Sequence, residues 1–258
     1  MIKAKIKASF IHLVISALVV GTLLAYALTI WYPQPFAELA GLSNILLILL
    51  TVDLLLGPIL TFFIFKPHRK NLKFDLAAIA ALQIAALSYG MFTIYQGHPV
   101  YVAYAFGQFT PITAKEAEPE KVKYPELVSS TLGKPKLVYA KLPDKPGAAQ
   151  ELFKALMNGK PNLESRAEYY EPYANYKDKV IEQGFSPDKL FTSPQEKQEL
   201  ERFLAATPKA NDSAADYAYL PLTGRQKDVI WALDKVTGLP VGILNINPWH
   251  QGELSAAK

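Results

Sequence analysis

The residue most able to do chemistry in this sequence is an acid inside a long apolar stretch. Asp53 lies in the run of residues 51–61, followed by Gly57 and Pro58. A carboxylate at mid-bilayer depth costs about 2.5 to 3.5 kcal/mol on insertion scales, so an intramembrane acid is by default a candidate functional residue. An equally good interpretation is a structural acid that is neutral or hydrogen-bonded to a neighbouring helix.

Pro58 predicts a local irregularity in the same helix. Proline has no N–H to donate to the carbonyl four residues earlier, so we expect a kink and a freed carbonyl at Leu54. A neighbouring helix or a local adjustment must then satisfy that carbonyl. Gln83, in the middle of a later apolar run, is the most obvious hydrogen-bonding partner for Asp53.

Other catalytic or metal-binding patterns are missing from the sequence. The absence of cysteine excludes disulfides, thiolate zinc sites and cysteine nucleophiles. Ser9 and His12 share one face of the first apolar run, but such a pair without a placed acid is chance-level evidence. Four histidines lie far apart without zinc-ligand spacing: His12, His68, His98 and His250. The sequence therefore predicts no catalytic residue, no metal, no cofactor and no enzyme.

Three apolar runs must position these residues, at residues 10–30, 45–65 and 76–95. Each is about long enough to cross a hydrocarbon core of roughly 30 Å as a helix. For the first run a secretory signal peptide is the alternative, because Ala25-Tyr26-Ala27 has the form of a cleavage site and the mature chain would start at Leu28. The length of the run favours a transmembrane helix.

The cations predict the orientation of these helices. Residues 31–43 contain no Lys or Arg, whereas cations flank the other ends of the runs: Lys3, Lys5, Lys7, Lys66, Arg69, Lys70 and Lys73. The positive-inside rule then places the N-terminus in the cytoplasm and everything after Tyr95 outside the inner membrane. The net charge of +4 is in this interpretation a topology signal, and no nucleic-acid partner is predicted.

Small residues recur every four positions in two of the runs. Ala17, Gly21, Ala25 and Thr29 do so in the first run, and Ala77, Ala81 and Ala85 in the third. Such stripes let helix backbones approach closely in lipid. We expect them to pack the three helices on one another. The alternative is that one stripe receives the helix of a partner.

The remaining chain predicts a soluble α+β domain with an antiparallel sheet. Residues 1–96 form the membrane domain and residues 97–258 the second domain. Hairpins are expected at residues 100–113 and 229–246, a strand at 217–222, and a helix after the capping box at Ser193. Tyr169 and Tyr173 would share one helix face, which more often seats a helix on its own sheet than docks a partner.

Two stretches resemble the type IV pilin accessory proteins of the TfpX/TfpZ family. The first is Val52-Asp53-Leu54-Leu55-Leu56-Gly57-Pro58, continuing to Tyr95-Gln96. The second is Leu220-Pro221-Leu222-Thr223-Gly224-Arg225 with Pro248-Trp249. Residues 115–216 have no match. The resemblance implies an inner-membrane protein of Gram-negative bacteria that is associated with a pilin and supports pilus assembly, without known catalytic residues.

We therefore expect a non-enzymatic, chaperone-like accessory factor. Its expected partners are a type IV major pilin, the lipid bilayer and other inner-membrane proteins of the pilus machinery. The expected partner-binding residues are Asp53, Gly57, Pro58 and Gln83. A membrane-tethered periplasmic sensor with a ligand-sized pocket is the first alternative. A membrane-bound envelope enzyme, with Asp53 in a polar cavity beside His98 or another titrating group, is the second.

Overall fold

The computed structural model describes residues 1–67, 70–130, 132–207 and 213–249. Three of its helices are long and apolar enough to cross a membrane, which agrees with the three predicted runs. Span 1 covers Ile2–Trp31, span 2 Leu42–Ile64 and span 3 Leu72–Gly97. His68 and Arg69 of the predicted basic turn, residues 208–212 of a predicted loop, and His250 lie outside the described residues.

Two of the spans contain π-helical turns. Span 1 is α-helical over Ile2–Tyr26 and π-helical over Ala27–Trp31. Span 2 runs as α-helix over Leu42–Leu50, π-helix over Thr51–Leu56 and α-helix again over Gly57–Ile64. Span 3 is α-helical throughout. A π turn inside a helix is rare and frequently marks a functional position, and the one in span 2 contains Asp53.

A seven-stranded sheet forms the centre of the second half of the chain. Its strands are β1 (Pro99–Ala105), β2 (Gln108–Thr113), β3 (Lys136–Ala140), β4 (Tyr170–Pro172), β5 (Tyr217–Leu222), β6 (Val229–Asp234) and β7 (Pro240–Leu244). Their order across the sheet is β4-β3-β1-β2-β5-β6-β7. The predicted hairpins are β1–β2 and β6–β7, both antiparallel. The predicted strand at residues 217–222 is β5.

The sheet is mixed, which corrects the antiparallel sheet expected from the sequence. β1 pairs with β3 in parallel, with Tyr101 opposite Lys136, and β2 meets β5 in parallel at Phe109 and Leu222. The pairs β3–β4 and β5–β6 are antiparallel. The parallel pairs join segments that are distant in sequence, so no turn motif marked them. The α+β class itself is confirmed.

Helices follow β3 and β4 in the chain, ahead of β5. They are Ala148–Met157, Lys177–Glu182, Pro187–Leu190 and Pro194–Ala206. The predicted capping box opens the last of these, with Ser193 Oγ accepting from the Glu196 N–H at 3.2 Å. Short 3₁₀ turns occur at Pro119–Lys121, Pro125–Leu127, Leu163–Ser165, Ala167–Tyr169, Tyr173–Asn175 and Ala214–Asp216.

Tyrosines fill much of the interior around the sheet. Tyr101, Tyr104, Tyr170 and Tyr219 are fully buried. The expected helix carrying Tyr169 and Tyr173 on one face is wrong, because Tyr169 ends a 3₁₀ turn and β4 separates it from Tyr173. Tyr173 is nevertheless buried, and its hydroxyl donates to the Gly238 carbonyl at 2.8 Å.

The described contacts divide the chain into two compact units. The helical unit contains residues 1–33 and 41–98, and the sheet unit contains residues 34–40 and 99 onward. Residues 34–40, which connect spans 1 and 2, therefore belong to the sheet unit.

Candidate functional site

Asp53 lies inside the helical unit, shielded from the surroundings by protein. Only 3% of its surface is exposed, and its Oδ2 atom has no hydrogen-bond partner among the described residues. His12 of span 1 is close enough to interact electrostatically with the carboxyl group. An acid within a bilayer almost always faces the bundle interior in this way.

The π turn determines which backbone carbonyl lacks a partner. The Gly57 N–H donates to the Val52 carbonyl, five residues earlier. In that register the next donor would be residue 58 and the next acceptor the Asp53 carbonyl, but Pro58 has no N–H. The side-chain amide of Gln83 donates to the Asp53 carbonyl instead, at 3.1 Å. The Asp53 carbonyl therefore accepts from span 3, and the freed carbonyl expected at Leu54 stays a prediction.

Gly57 gives Gln83 the space to reach that carbonyl. A Cβ atom on Gly57 would lie 2.0 Å from Gln83 Nε2 and 2.6 Å from its Cδ. Although the end of a glutamine side chain moves easily, any displacement here breaks its bond to the carbonyl. Gly57, Pro58, Gln83 and the backbone of Asp53 thus form one packing unit, which we call the Gly-Pro site.

Span 1 makes three further polar contacts with span 2, at or near the Gly-Pro site in sequence. Ser9 Oγ donates to the Pro58 carbonyl at 2.8 Å. His12 Nδ1 lies 2.6 Å from Thr61 Oγ1, and Thr61 is buried. Lys5 Nζ reaches the Phe63 carbonyl at 3.4 Å. Lys5, Ser9 and His12 recur at helical spacing, so they form one polar face of span 1 that packs on span 2.

The small-residue stripes do not make these contacts. Every member of both stripes is exposed, namely Ala17, Gly21, Ala25 and Thr29 in span 1 and Ala77, Ala81 and Ala85 in span 3. A Cβ added to Gly21 would meet nothing within 4 Å. The expectation that the stripes pack the three spans together is therefore wrong. The polar face of span 1 performs that role for spans 1 and 2, and the described residues leave both stripes uncovered.

The structure brings together the four residues expected to bind a partner. Asp53, Gly57, Pro58 and Gln83 are all buried in the helical unit, where they satisfy and pack one another. Their direct contact with a partner stays a prediction. Sequence reasoning undervalued Ser9 and His12 and missed Thr61, although polar residues at helical spacing in an apolar run were the available signal.

The sensor alternative requires a ligand-sized pocket, and the enzyme alternative requires Asp53 in a polar cavity beside another titrating group. The sheet unit has a cavity of about 210 Å³ next to Leu142, Arg166 and Tyr169, whereas ligand pockets usually measure about 300 to 1,000 Å³. His98 stacks on Trp31 at the end of span 3, with ring centroids 5.1 Å apart. Of the described histidines, His12 is close enough to interact electrostatically with Asp53. No group of three His, Cys, Asp or Glu residues in the described ranges could hold a metal ion.

Comparison with known proteins adds the family context. Residues 1–41 match the model of the fimbrial assembly protein FimB. The chain is 32% identical over 100 residues, or 38% of its length, to three fimbrial assembly proteins of Dichelobacter nodosus. The match covers 76% of the protein from serogroups C1 and C2, but only 39% of those from serogroups I and E1. No solved structure matches.

Proposed function

Because the chain belongs to the fimbrial assembly protein family, whose role is the assembly of pili, we propose that it is a non-enzymatic inner-membrane factor that binds a type IV pilin. It holds or presents the membrane-embedded subunit before or during extraction into the fibre. A pilin in the bilayer exposes a long apolar helix and a soluble head. An accessory factor with a helical unit and a sheet unit can meet both parts.

The uncovered stripes of spans 1 and 3 carry this proposal. Small residues promote close approach of helices in lipid, where packing replaces the hydrophobic drive. Here the described residues leave that capacity unused, because Ala17, Gly21 and Ala25 are exposed and a Cβ added to Gly21 would meet nothing within 4 Å. The apolar helix of a pilin is the partner that this surface fits.

The proposed orientation has a cytoplasmic N-terminus and a periplasmic sheet unit. The cations of the N-terminus and of residues 66–73 support it through the positive-inside rule. The membership of residues 34–40 in the sheet unit supports it further, since a connection between spans 1 and 2 shares its side of the membrane with whatever follows span 3.

Detergent pull-down of the tagged full chain from cells that make the pilin tests the proposal. We expect the major pilin to co-purify, and we expect Gly21→Leu to reduce its recovery at least fivefold, since a bulky side chain prevents close helix approach. Thr22→Leu, at the adjacent exposed position, is the matched control and should retain the pilin. Failure of the wild-type chain to recover any pilin would reject the function.

A polar contact from Asp53 to the N-terminal region of the pilin is part of the same proposal. Its support is the Oδ2 atom, which has no hydrogen-bond partner among the described residues; because Asp53 is only 3% exposed, the contact requires the spans to part. Asp53→Asn keeps the shape of the side chain and removes its charge, so pilin recovery should fall while the protein still folds. Normal folding, pilin association and piliation of this variant would remove Asp53 from the binding site.

A further inference from the structure

Residues 34–40, which we call the strap, form a buried part of the sheet unit although they precede β1 by almost sixty residues. The strap contains the short helix Phe36–Leu39. Phe36 is 5% exposed and Leu39 is 1% exposed, values typical of core residues. A connection of this length between two membrane helices would ordinarily be solvated.

The strap is bound mainly to the connection between β5 and β6. The Gln226 N–H donates to the Leu39 carbonyl at 3.0 Å. The Phe36 ring meets Trp231 of β6 edge-on, with centroids 6.1 Å apart. Lys227 Nζ pairs with the Glu38 carboxylate and also donates to Asn245 Oδ1 at 2.7 Å. Backbone and ionic contacts therefore join the strap to the β5–β6 connection, and an aromatic contact joins it to β6.

Gly224 makes this close approach possible. A Cβ atom at residue 224 would lie 2.9 Å from the Leu39 Cβ and 3.1 Å from the Leu39 carbonyl oxygen. It would also lie 2.4 Å from the Lys227 carbonyl oxygen. Backbone atoms cannot move aside as a flexible side chain can, so glycine is required where the strap crosses the connection.

We propose that the strap closes the sheet unit by holding residues 226 and 227 of the β5–β6 connection in place. The last strands of the sheet unit complete their packing on a segment that is fixed between two spans, so the position of the β5–β6 connection depends on the strap. This inference is independent of which partner the protein binds.

Trypsin provides a local test, because the Arg225–Gln226 bond includes the N–H that donates to the strap. Arg225 is exposed, but a protease must draw the chain into an extended form, which the bound strap prevents. In full-length protein in nanodiscs, Phe36→Ala combined with Leu39→Ala should accelerate this cleavage at least tenfold. Phe36→Leu, which keeps apolar bulk without the ring, should give an intermediate rate.

Two controls make the test specific. Cleavage after Lys123, in an exposed loop of the same unit, should proceed at the same rate in all variants. Glu38→Gln should change cleavage after Arg225 less than twofold, because exposed ion pairs contribute little. An unchanged rate after Arg225 in the double variant, or equal acceleration at Lys123, would overturn the proposal.

A second measurement uses the unmodified chain and does not depend on a variant that folds. A zero-length carbodiimide reagent joins a carboxylate to an amine in direct contact. We expect it to link Glu38 to Lys227, and Lys227→Gln should abolish the link. Absence of the link in the wild-type chain would show that the strap is not bound to the connection and would also overturn the proposal.

Discussion

At the scale of single residues, the Gly-Pro site consists of a missing backbone hydrogen-bond donor and the side chain that replaces it. Pro58 removes a backbone donor, the π turn aligns the missing donor with the Asp53 carbonyl, and the Gln83 side chain donates to that carbonyl at 3.1 Å. Gly57 leaves room for it. The sequence predicted the pairing of Asp53 with Gln83 and a freed carbonyl. It could not predict that the backbone carbonyl of Asp53 would accept from Gln83, because a π turn has no sequence signature comparable to that of proline.

A double-mutant cycle tests this reading of the Gly-Pro site. Gln83→Leu should lower the free energy of unfolding of the helical unit by about 1 to 2 kcal/mol, the upper range for hydrogen bonds between membrane helices. Pro58→Ala restores a backbone N–H that can bond to the Asp53 carbonyl. In the Pro58→Ala background we therefore expect Gln83→Leu to cost less than half as much. Equal costs in both backgrounds, measured by unfolding in detergent, would contradict the shared acceptor.

At the scale of elements, local pattern predicted the hairpins and helix caps, but not the pairing of distant strands. β1–β2 and β6–β7 have short turns and alternating residues, whereas β3 and β4 are short and lie in the stretch without a family match. The small-residue stripes show a similar limit. Their spacing indicated a packing surface, but only the helix arrangement shows that they are uncovered.

The buried tyrosines of the sheet unit predict its stability at alkaline pH. Burial raises the pKa of Tyr104 and of Tyr170, with smaller contributions from neighbouring ionisable groups. Because their folded pKa lies above the unfolded value of about 10, only the unfolded state ionises just above pH 10. The contribution of these tyrosines to the free energy of unfolding is complete below about pH 10 and is lost as the pH rises toward the folded pKa.

Denaturant unfolding between pH 8 and 11.5 measures this effect. Above pH 10 each such tyrosine should lower the unfolding free energy by up to about 1.4 kcal/mol per pH unit. Tyr104→Phe should reduce the pH dependence of the unfolding free energy by the amount that one titrating proton contributes, whatever the substitution does to stability at pH 8. A slope unaffected by the substitution would contradict the assignment.

At the scale of the whole molecule, the strap and β1 join the sheet unit to the spans at two places in the sequence. Three apolar spans were evident from the sequence, as was a folded second half. The assignment of residues 34–40 to the sheet unit was not predictable, because the contacts join residues up to 189 positions apart and short loops are usually solvated.

Thiol labelling tests the proposed orientation, and the absence of native cysteine makes single-cysteine variants unambiguous. Lys154 is exposed on a helix of the sheet unit, and Lys70 is exposed in the basic turn between spans 2 and 3. Each is replaced by cysteine in its own variant. In spheroplasts we expect a membrane-impermeant maleimide to label Lys154→Cys at once. Lys70→Cys should react only after permeabilisation, and the reverse pattern would refute the orientation.

The central claim is that the uncovered stripe of span 1 receives the apolar helix of a pilin. Photocrosslinking in living cells tests it most directly, with a benzophenone amino acid placed at residue 21 and, as the control, at the exposed residue 15. The account predicts an adduct with the major pilin from position 21 and little or none from position 15. An adduct with equal yield from both positions, or no pilin adduct from position 21, would contradict it.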